Sequence, residues 1–434
     1  MGETDLRALG DSCWTDFDFR TWNRAIQGSQ VIPVTENIAY IATRGIVGNV
    51  TLIATDDGLV VVDTGSRNTA EQVHDAIRRW SDDRINTVIY THGHIDHVCG
   101  VSLFDEEAER HNVKKPMVVA HQNVERRFER YQETSGWNAR INGRQFKVTG
   151  FQWPEEYRRP DTVYDRNCTL AVGGRTIELS HGIGETDDHT WIWVPDARTV
   201  ISGDFVIWAA PNAGNPQKVQ RYALGWARAL RAMSEKRAEV LIPGHGPAVF
   251  GADRVARMLD DGAEFLESIH HQTIDCMNAG MKLSDVLHEV EPPAGLLERP
   301  YLKPTYDDPE FVVRNVWRLY GGWFDGNPAN LKPARDSDLA TVMAELAGGP
   351  AQLAKKALEF VGYGELRLAG HLAEFAALAD PESQQAHQAR LAVNEARAKA
   401  ESCLMAKGIF TDAAEESREA LGGGRSKSSN PRIG

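Results

Sequence analysis

Scarcity sets the first limits on this 434-residue chain. Cysteine is sparse: five residues, at positions 13, 99, 168, 276 and 403, odd in number, widely spaced and without a CxxC pair. That pattern excludes a disulfide framework and reads as reduced thiols. Long apolar runs are absent too, and no stretch approaches the roughly 20 residues that a membrane helix needs. The opening MGETDLRALGDSCW lacks the basic and apolar regions of a secretory leader, so the expectation is a cytoplasmic protein with no membrane partner. Basic residues are outnumbered, 48 Lys and Arg against 61 Asp and Glu, for a net charge of -13. With no Lys/Arg stripe among aromatics, nucleic acid is not an expected partner, because phosphate contacts dominate such binding. Room remains for a local basic pocket that takes a small anion. No internal repeat at a fixed period is found.

What is present is the composition of a globular protein, 42% hydrophobic and 25% charged, long enough for two or three units. From about residue 31 to 64 the text is strand-like. The runs IAYIATR and NVTLIATDDGLVVVDT are rich in β-branched residues, and Asp56-Asp57-Gly58 between two of them reads as a hairpin turn. After Asp63-Thr64-Gly65 the period changes to that of a helix. Thr69 and Gln72 are placed for a capping box, and Val73, Ala76, Ile77 and Trp80 share one face. INTVIYTH follows, a continuous apolar run suited to a strand buried on both faces. MVVAH, CTLAVGG, RTIELS, TWIWVP and RTVISGD are short strands, several of them antiparallel neighbours; a helix over about 219–239 and the strand-loop VLIPGHG come next. From about residue 253 the chain turns helical, with loops at Pro292-Pro293 and YGGWFDGNPANL, and the Gly/Ser-rich tail from Gly422 is expected to be disordered. The expected organisation is an N-terminal extension (1–30), a catalytic domain (31–255), a helical domain (256–421) and a tail (422–434).

Chemistry concentrates in Thr91-His92-Gly93-His94-Ile95-Asp96-His97, directly after the buried run. Open α/β sheets place their ligands at the carboxyl ends of strands. His92 and His94, two apart, point to one side of an extended strand end, and Asp96 and His97 lie on the turn beyond. Imidazoles and carboxylates suit zinc, and two such pairs suit two metals side by side. Four solvated loop residues would be the plain alternative, but the place after a buried strand argues against it.

The string H-x-H-x-D-H resembles the signature of the metallo-β-lactamase superfamily, and the likeness extends over about residues 31–250. It implies an α/β fold, an αββα sandwich with its ligands at strand ends. Further roles follow from the likeness: Asp63, in a D-T-G turn, orients the site without binding metal; Asp204, in VISGD, bridges; and His245, in IPGHG, is the last histidine. Where the family has a His in G-H-T-x-G, nineteen positions before the bridging Asp, this chain has Glu185. Spacing favours Glu185 as the seventh ligand, with His189 and then His181 as alternatives; otherwise both histidines stand behind the ligands.

A carboxylate at that place resembles the alkylsulfatase branch. Tyr320 to Pro328, YGGWFDGNP, is similar to the G-W-x-D-G-N-P signature of its dimerisation domain, a likeness that runs from about 256 to 420 and implies an all-α dimerisation domain and a homodimer formed through it. The family's third, lipid-binding-like domain is not expected, because the chain ends before it. Of two arginines that clamp the sulfate there, Arg221 matches the second, while the first falls at Pro216, Gln217 or Lys218; Lys218 is then a point-charge substitute for a planar fork. Asn212 keeps an asparagine position, and His121, in VVAHQN, lines the substrate site or is an ordinary loop residue. His270, His271, His288, His371 and His387 read as surface or interface groups, and Cys99 as a packing residue.

Together these resemblances imply a zinc-dependent hydrolase of small anionic sulfate esters, alkyl or aryl. His92, His94 and Glu185 hold one zinc, Asp96, His97 and His245 the other, and Asp204 lies between, with Asp96 and Asp204 at the catalytic centre. Two zinc ions per chain would share a hydroxide nucleophile, since such a pair lowers the pKa of water from 15.7 towards roughly 7. Iron and manganese stay open as the metal. A lactone or phosphoester substrate is the alternative reading, an iron oxygenase on the same scaffold a further one, and a noncatalytic structural homodimer the remote one.

Overall fold

Alternation along the strands decides where the first core lies. The computed structural model describes residues 6–26, 29–43 and 47–424; the tail expectation for 425–434 falls outside them. In β3 (Val50–Thr55) and β4 (Gly58–Val62), Val50, Leu52, Leu59 and Val61 face one side, while Ile53, Val60 and Val62 face the other. The first set packs under the helices Ala70–Trp80, Val101–Arg110 and Asn123–Glu133 through Val73, Ala76, Ile77, Phe104, Val124 and Phe128. The second faces the other sheet. Side chains of a strand alternate between faces, so one sequence serves both layers.

Seven strands form the first sheet in chain order: β1 (Gln30–Pro33), β2 (Ile38–Ala42), β3, β4, β5 (Ile85–Ile89), β6 (Met117–His121) and β7 (Thr162–Tyr164). The first four are antiparallel and the last three continue from β4 in parallel. The second sheet runs β13 (Val249–Phe250), β12 (Val240–Pro243), β11 (Thr199–Gly203), β10 (His189–Val194), β9 (Arg175–Gly182), β8 (Asn167–Val172), with β11 and β12 parallel and the rest antiparallel. Ile38, Tyr40, Ile89 and Val119 of one sheet join Ile177, Leu179 and Ile201 of the other in one core. The helices Ala223–Glu235 and Ala252–Asn278 contribute Trp226, Leu230, Leu259 and Phe265 to it. This is the αββα sandwich, with helical segments behind it.

Several local expectations meet different outcomes. Asp56-Asp57 does turn β3 into β4, with Thr55 paired to Gly58, whose φ of 110 needs glycine. No capping box forms at the first helix: Thr69 makes no side-chain cap bond, because its Oγ1 is turned to accept Ser66 N–H at 3.0 Å. MVVAH is not among the antiparallel strands; it runs parallel to β5, as a strand reached by a helical crossover does. His270 is buried, edge-on to Tyr320, and is no surface group.

Among the described residues two compact units result, one of residues 6–138 and 152–322, the other of 139–151 and 323–424. The change of period near 253 is therefore not where contacts divide. Helix Ala252–Asn278 belongs to the first unit because its Val255, Leu259 and Phe265 pack into the sandwich core. Residues ahead of β1 also belong to that core, Phe17 lying 4.8 Å from Trp208 and Trp14 stacking on Tyr301. The second unit is helical, with Asp336–Ala347, Pro350–Gly362, Leu366–Ala379, Gln384–Ala400 and Leu404–Ala420 packed through alanines such as Ala344, Ala354, Ala376 and Ala389.

Candidate metal centre

Four chain segments end at one place. The loop 91–97 follows β5, Asp204 follows β11, His245 follows the neighbouring parallel strand β12, and Glu185 lies in the loop joining β9 to β10. Seven side chains gather there in two groups: His92, His94, Glu185 and Asp204, and Asp96, His97 and His245, each with ligand atoms within 4.8 Å of one another. Asp204 touches both. Its Oδ2 is 3.7 Å from His92 Nε2, while Oδ1 is 3.3 Å from His97 Nε2 and 3.4 Å from His245 Nε2. Asp96 Oδ2 lies 3.6 Å from His97 Nε2 and 3.5 Å from His245 Nε2.

The rings are oriented from behind. Asp63, held at φ 60, accepts Thr91 N–H, the Thr91 hydroxyl and His97 Nδ1–H, each at 2.7 Å. The Thr91 hydroxyl is thus spent as a donor, so at 3.0 Å it can only accept from His92 Nδ1. Both rings are left with an Nε2 lone pair towards the cluster, the arrangement that second-shell carboxylates give metal-binding histidines. Asn49 Nδ2 fixes the His245 loop by donating to the carbonyls of Pro243 and Gly246 at 2.9 and 2.8 Å. Gly244 is required there, since a Cβ would stand 2.1 Å from Asp204 Oδ1.

Charge is distributed unevenly. Burial and the neighbouring imidazoles push His92 well below its usual range, and burial with the Arg127 charge does the same to His94. His97 goes the other way: burial opposes its charge, but Asp204, Asp96 and Asp63 outweigh it. Burial also raises Glu185, with the Arg221 guanidinium working against it.

Of the three contenders for the seventh position, Glu185 is the one in the cluster. Its Oε1 accepts from Asn212 Nδ2 at 2.7 Å and Arg221 Nη1 at 2.5 Å. Its Oε2 is buried with no hydrogen-bond partner among the described residues. A buried carboxylate oxygen left bare is costly unless a cation meets it, so the donor set fits a divalent metal. His189 Nε2 is engaged elsewhere, accepting Asp204 N–H at 3.1 Å, and His181 Nδ1 faces the His189 carbonyl at 2.9 Å. His121 stacks on His181 with ring centroids 3.7 Å apart and does not enter the cluster.

Around the Glu185 side stand the expected anion-binding groups. Arg221 is buried on Glu185 and the Asn212 carbonyl, while its Nε has no partner among the described residues. Lys218 lies 5.4 Å over the Trp153 ring; burial and the nearby Arg221 charge lower its pKa to about 7. Sequence reasoning missed Tyr306 and Asp307. Burial raises the Tyr306 hydroxyl, and the charges of Glu185 and Asp96 raise it further. Asp307 Oδ2 accepts Gly214 and Asn215 N–H at 2.5 and 3.2 Å, fixing the loop that carries Asn212. Arg127 and Asp188 were missed as well, a buried pair at 2.8 Å whose partners lie 61 residues apart.

A sandwich with this ligand loop defines a metallo-β-lactamase-type domain, and residues 43–245 match the model of the metallo-beta-lactamase superfamily. Residues 282–420 match a second model, alkyl sulfatase dimerisation, so the chain pairs a metallo-beta-lactamase domain with an alkylsulfatase dimerisation domain. It is 28% identical over 371 residues to an (R)-specific secondary-alkylsulfatase of Pseudomonas sp, covering 78% of this chain and 55% of that one. A linear primary-alkylsulfatase of Pseudomonas sp. (strain ATCC 19151) is 24% identical over 357 residues, 77% of this chain and 67% of that one. An alkyl/aryl-sulfatase of Saccharomyces cerevisiae is 24% identical, over 89% of this chain and 62% of its own. This chain therefore spans between 55% and 67% of the length of these three relatives. The solved structure of the sec-alkylsulfatase Pisa1 from Pseudomonas sp. shares the fold, with a TM-score of 0.81 at 24% identity over 92% of this chain and 67% of that one. Among the described residues no helix is long and apolar enough to cross a membrane.

Proposed function

We propose that the protein is a dinuclear zinc hydrolase of sulfate esters. The observation that carries this reading is Glu185: a carboxylate stands where the superfamily resemblance expects a histidine, inside the His92, His94 and Asp204 group, and Arg221 and Asn212 hold it there. The similar alkylsulfatases support the substrate class. In this reading His92, His94 and Glu185 hold one ion, Asp96, His97 and His245 the other, and Asp204 spans both. Bound zinc would supply Lewis acidity towards the ester oxygens and an acidified water as nucleophile.

The chain's own groups then divide the remaining work. Lys218 and the unpaired Nε of Arg221 present positive charge to the sulfate, an anion that a low-dielectric pocket would otherwise repel. Asp63 and Thr91 hold two rings in fixed tautomers. Asp96 keeps 27% side-chain exposure against 8% for Asp204, which makes it the cluster carboxylate placed to exchange protons with solvent. A panel of an alkyl sulfate, an aryl sulfate, a lactone and a phosphodiester, run on zinc-loaded protein, tests the assignment. Turnover of a sulfate ester is expected; turnover of another member alone would overturn it. One feature favours that second reading, a dinuclear hydrolase of another ester: the first clamping arginine falls at Pro216, Gln217 or Lys218, and even the Lys218 ammonium lacks the two-pronged geometry of a guanidinium.

The partner proposed is a second copy of the chain. On helix Asp336–Ala347, Leu339, Val342 and Leu346 are exposed at helical spacing, Leu346 by 79%, a patch that an isolated unit would not favour. Leu346→Lys is expected to shift sedimentation from dimer to monomer; an unchanged dimer would move the interface elsewhere.

A further inference from the structure

Two consecutive buried residues at the start of β10 tie the separate carriers of the centre together. Asp188 Oδ2 accepts Gly93 N–H at 2.9 Å and Arg127 Nε at 2.8 Å, and Arg127 Nη2 reaches Asp187 Oδ1 at 2.5 Å. Gly93 lies between His92 and His94, so the direction of its peptide sets where both rings point. A Cβ at Gly93 would stand 2.8 Å from Arg127 Cδ and 3.1 Å from Asp188 Oδ2, so the close approach needs glycine. The next residue, His189, accepts Asp204 N–H at Nε2, 3.1 Å away, and stacks on the His92 ring at 4.4 Å. Asp188 and His189 are both fully buried.

Each has the charge state its bond requires. Burial pushes Asp188 up, but Arg127, Thr186 and the Gly93 N–H together pull it below the usual carboxylate range. His189 accepts the Asp204 N–H at Nε2, so that nitrogen carries no proton and the ring proton sits on Nδ1. Stability alone does not demand such a pair, because a buried ion pair is often no better than apolar packing. The third partner, a peptide N–H of the ligand loop, gives it a task.

We propose that Asp188 and His189 are positioning residues that set the two ligand carriers in register: Asp188, held by Arg127, fixes the His92–His94 turn, and His189 fixes the backbone of Asp204. The inference rests on reading the cluster as a metal centre and not on the substrate. It separates the two groups, because the Asp188 arm acts on His92 and His94 alone.

Competition with a chromophoric chelator and cobalt-substituted spectra of the full chain test it. Asp188→Asn keeps the volume and an oxygen for both donors but removes the charge that holds Arg127 and strengthens the bond to Gly93 N–H. It is expected to weaken one of two cobalt ions about 10 to 100-fold, the range for loss of an outer-shell partner, and to alter one set of visible bands. His189→Leu is expected to weaken binding similarly, with His189→Gln restoring it, since the Gln amide oxygen can occupy the Nε2 position. The conservative pair also guards against a variant that fails to fold. Wild-type affinities and spectra in Asp188→Asn and His189→Leu, or equal losses in Leu and Gln, would overturn the inference. Wild-type protein that takes up no cobalt or zinc would instead remove the metal reading itself.

Discussion

The two halves of the cluster differ in what stands behind them. Behind His92, His94 and Glu185 are cations: Arg221 binds Glu185 directly, and Arg127 lies close enough to disfavour charge on His94. Behind Asp96, His97 and His245 is an anion, Asp63, bonded to His97 Nδ1. Coulomb interactions in a buried site are large, so the backing group counts almost as much as the ligand. On the proposed dinuclear reading, the first position would be the weaker holder and the stronger Lewis acid, and the second the anchor. Dialysis against a chelator is expected to empty the positions in that order.

The largest break in this comparison is Asp204→Asn. Its carboxylate serves both groups, at 3.3 Å from His97, 3.4 Å from His245 and 3.7 Å from His92. Burial raises an acid, yet His245 and His97 hold this one well below the carboxylate range, a measure of how much the cluster depends on its charge. Loss of both metals is expected by elemental analysis, with a fall in kcat/KM beyond the roughly 10 to 100-fold of an outer-shell change. A variant that keeps two metals would mean that Asp204 does not bridge.

A smaller and unequal effect is expected for Asp63→Asn. The amide can still accept from Thr91 N–H, but a full charge no longer faces His97 Nδ1. Affinity at the anchor position should fall about 10 to 100-fold, and that of the first position less, because Asp63 reaches His92 only through the Thr91 hydroxyl. Equal losses at both would erase the distinction between cationic and anionic backing.

How much of this was legible in the sequence follows from sequence separation. The run HGHIDH sits at the end of an apolar strand, so the local pattern pointed to it; Asp63, Asp204 and His245 were read from the superfamily likeness, and the structure gathers Asp204 and His245 with the run and bonds Asp63 to His97 behind it. Glu185 was readable only through its spacing from Asp204. The Arg127–Asp188–Gly93 arrangement was not legible, because its bonds span 61 and 95 residues and no local pattern marks a buried arginine on a helix. Tyr306 and Asp307 escaped because the period changes near 253, whereas the chain remains part of the sandwich unit to residue 322. Thr69 illustrates the opposite failure: the capping string was present, but a loop contact to Ser66 took the hydroxyl.

The smallest expected effect concerns the cationic side and depends on pH. Lys218, over the Trp153 ring, is lowered by burial to about 7, and on the proposed reading an anionic ester would bind only its charged form. Below pH 7 the ammonium is present and KM is flat. Above it the ammonium is lost, and KM should rise by up to about tenfold per unit, as for any single titrating group, while kcat changes little. Lys218→Arg stays protonated throughout, so its KM should lose this dependence while the metal content is untouched. Lys218→Met should show the high KM at every pH. If the arginine variant keeps the wild-type slope, the titrating group is one of the metal-bound set, and the cationic backing of the first position ends at Arg221.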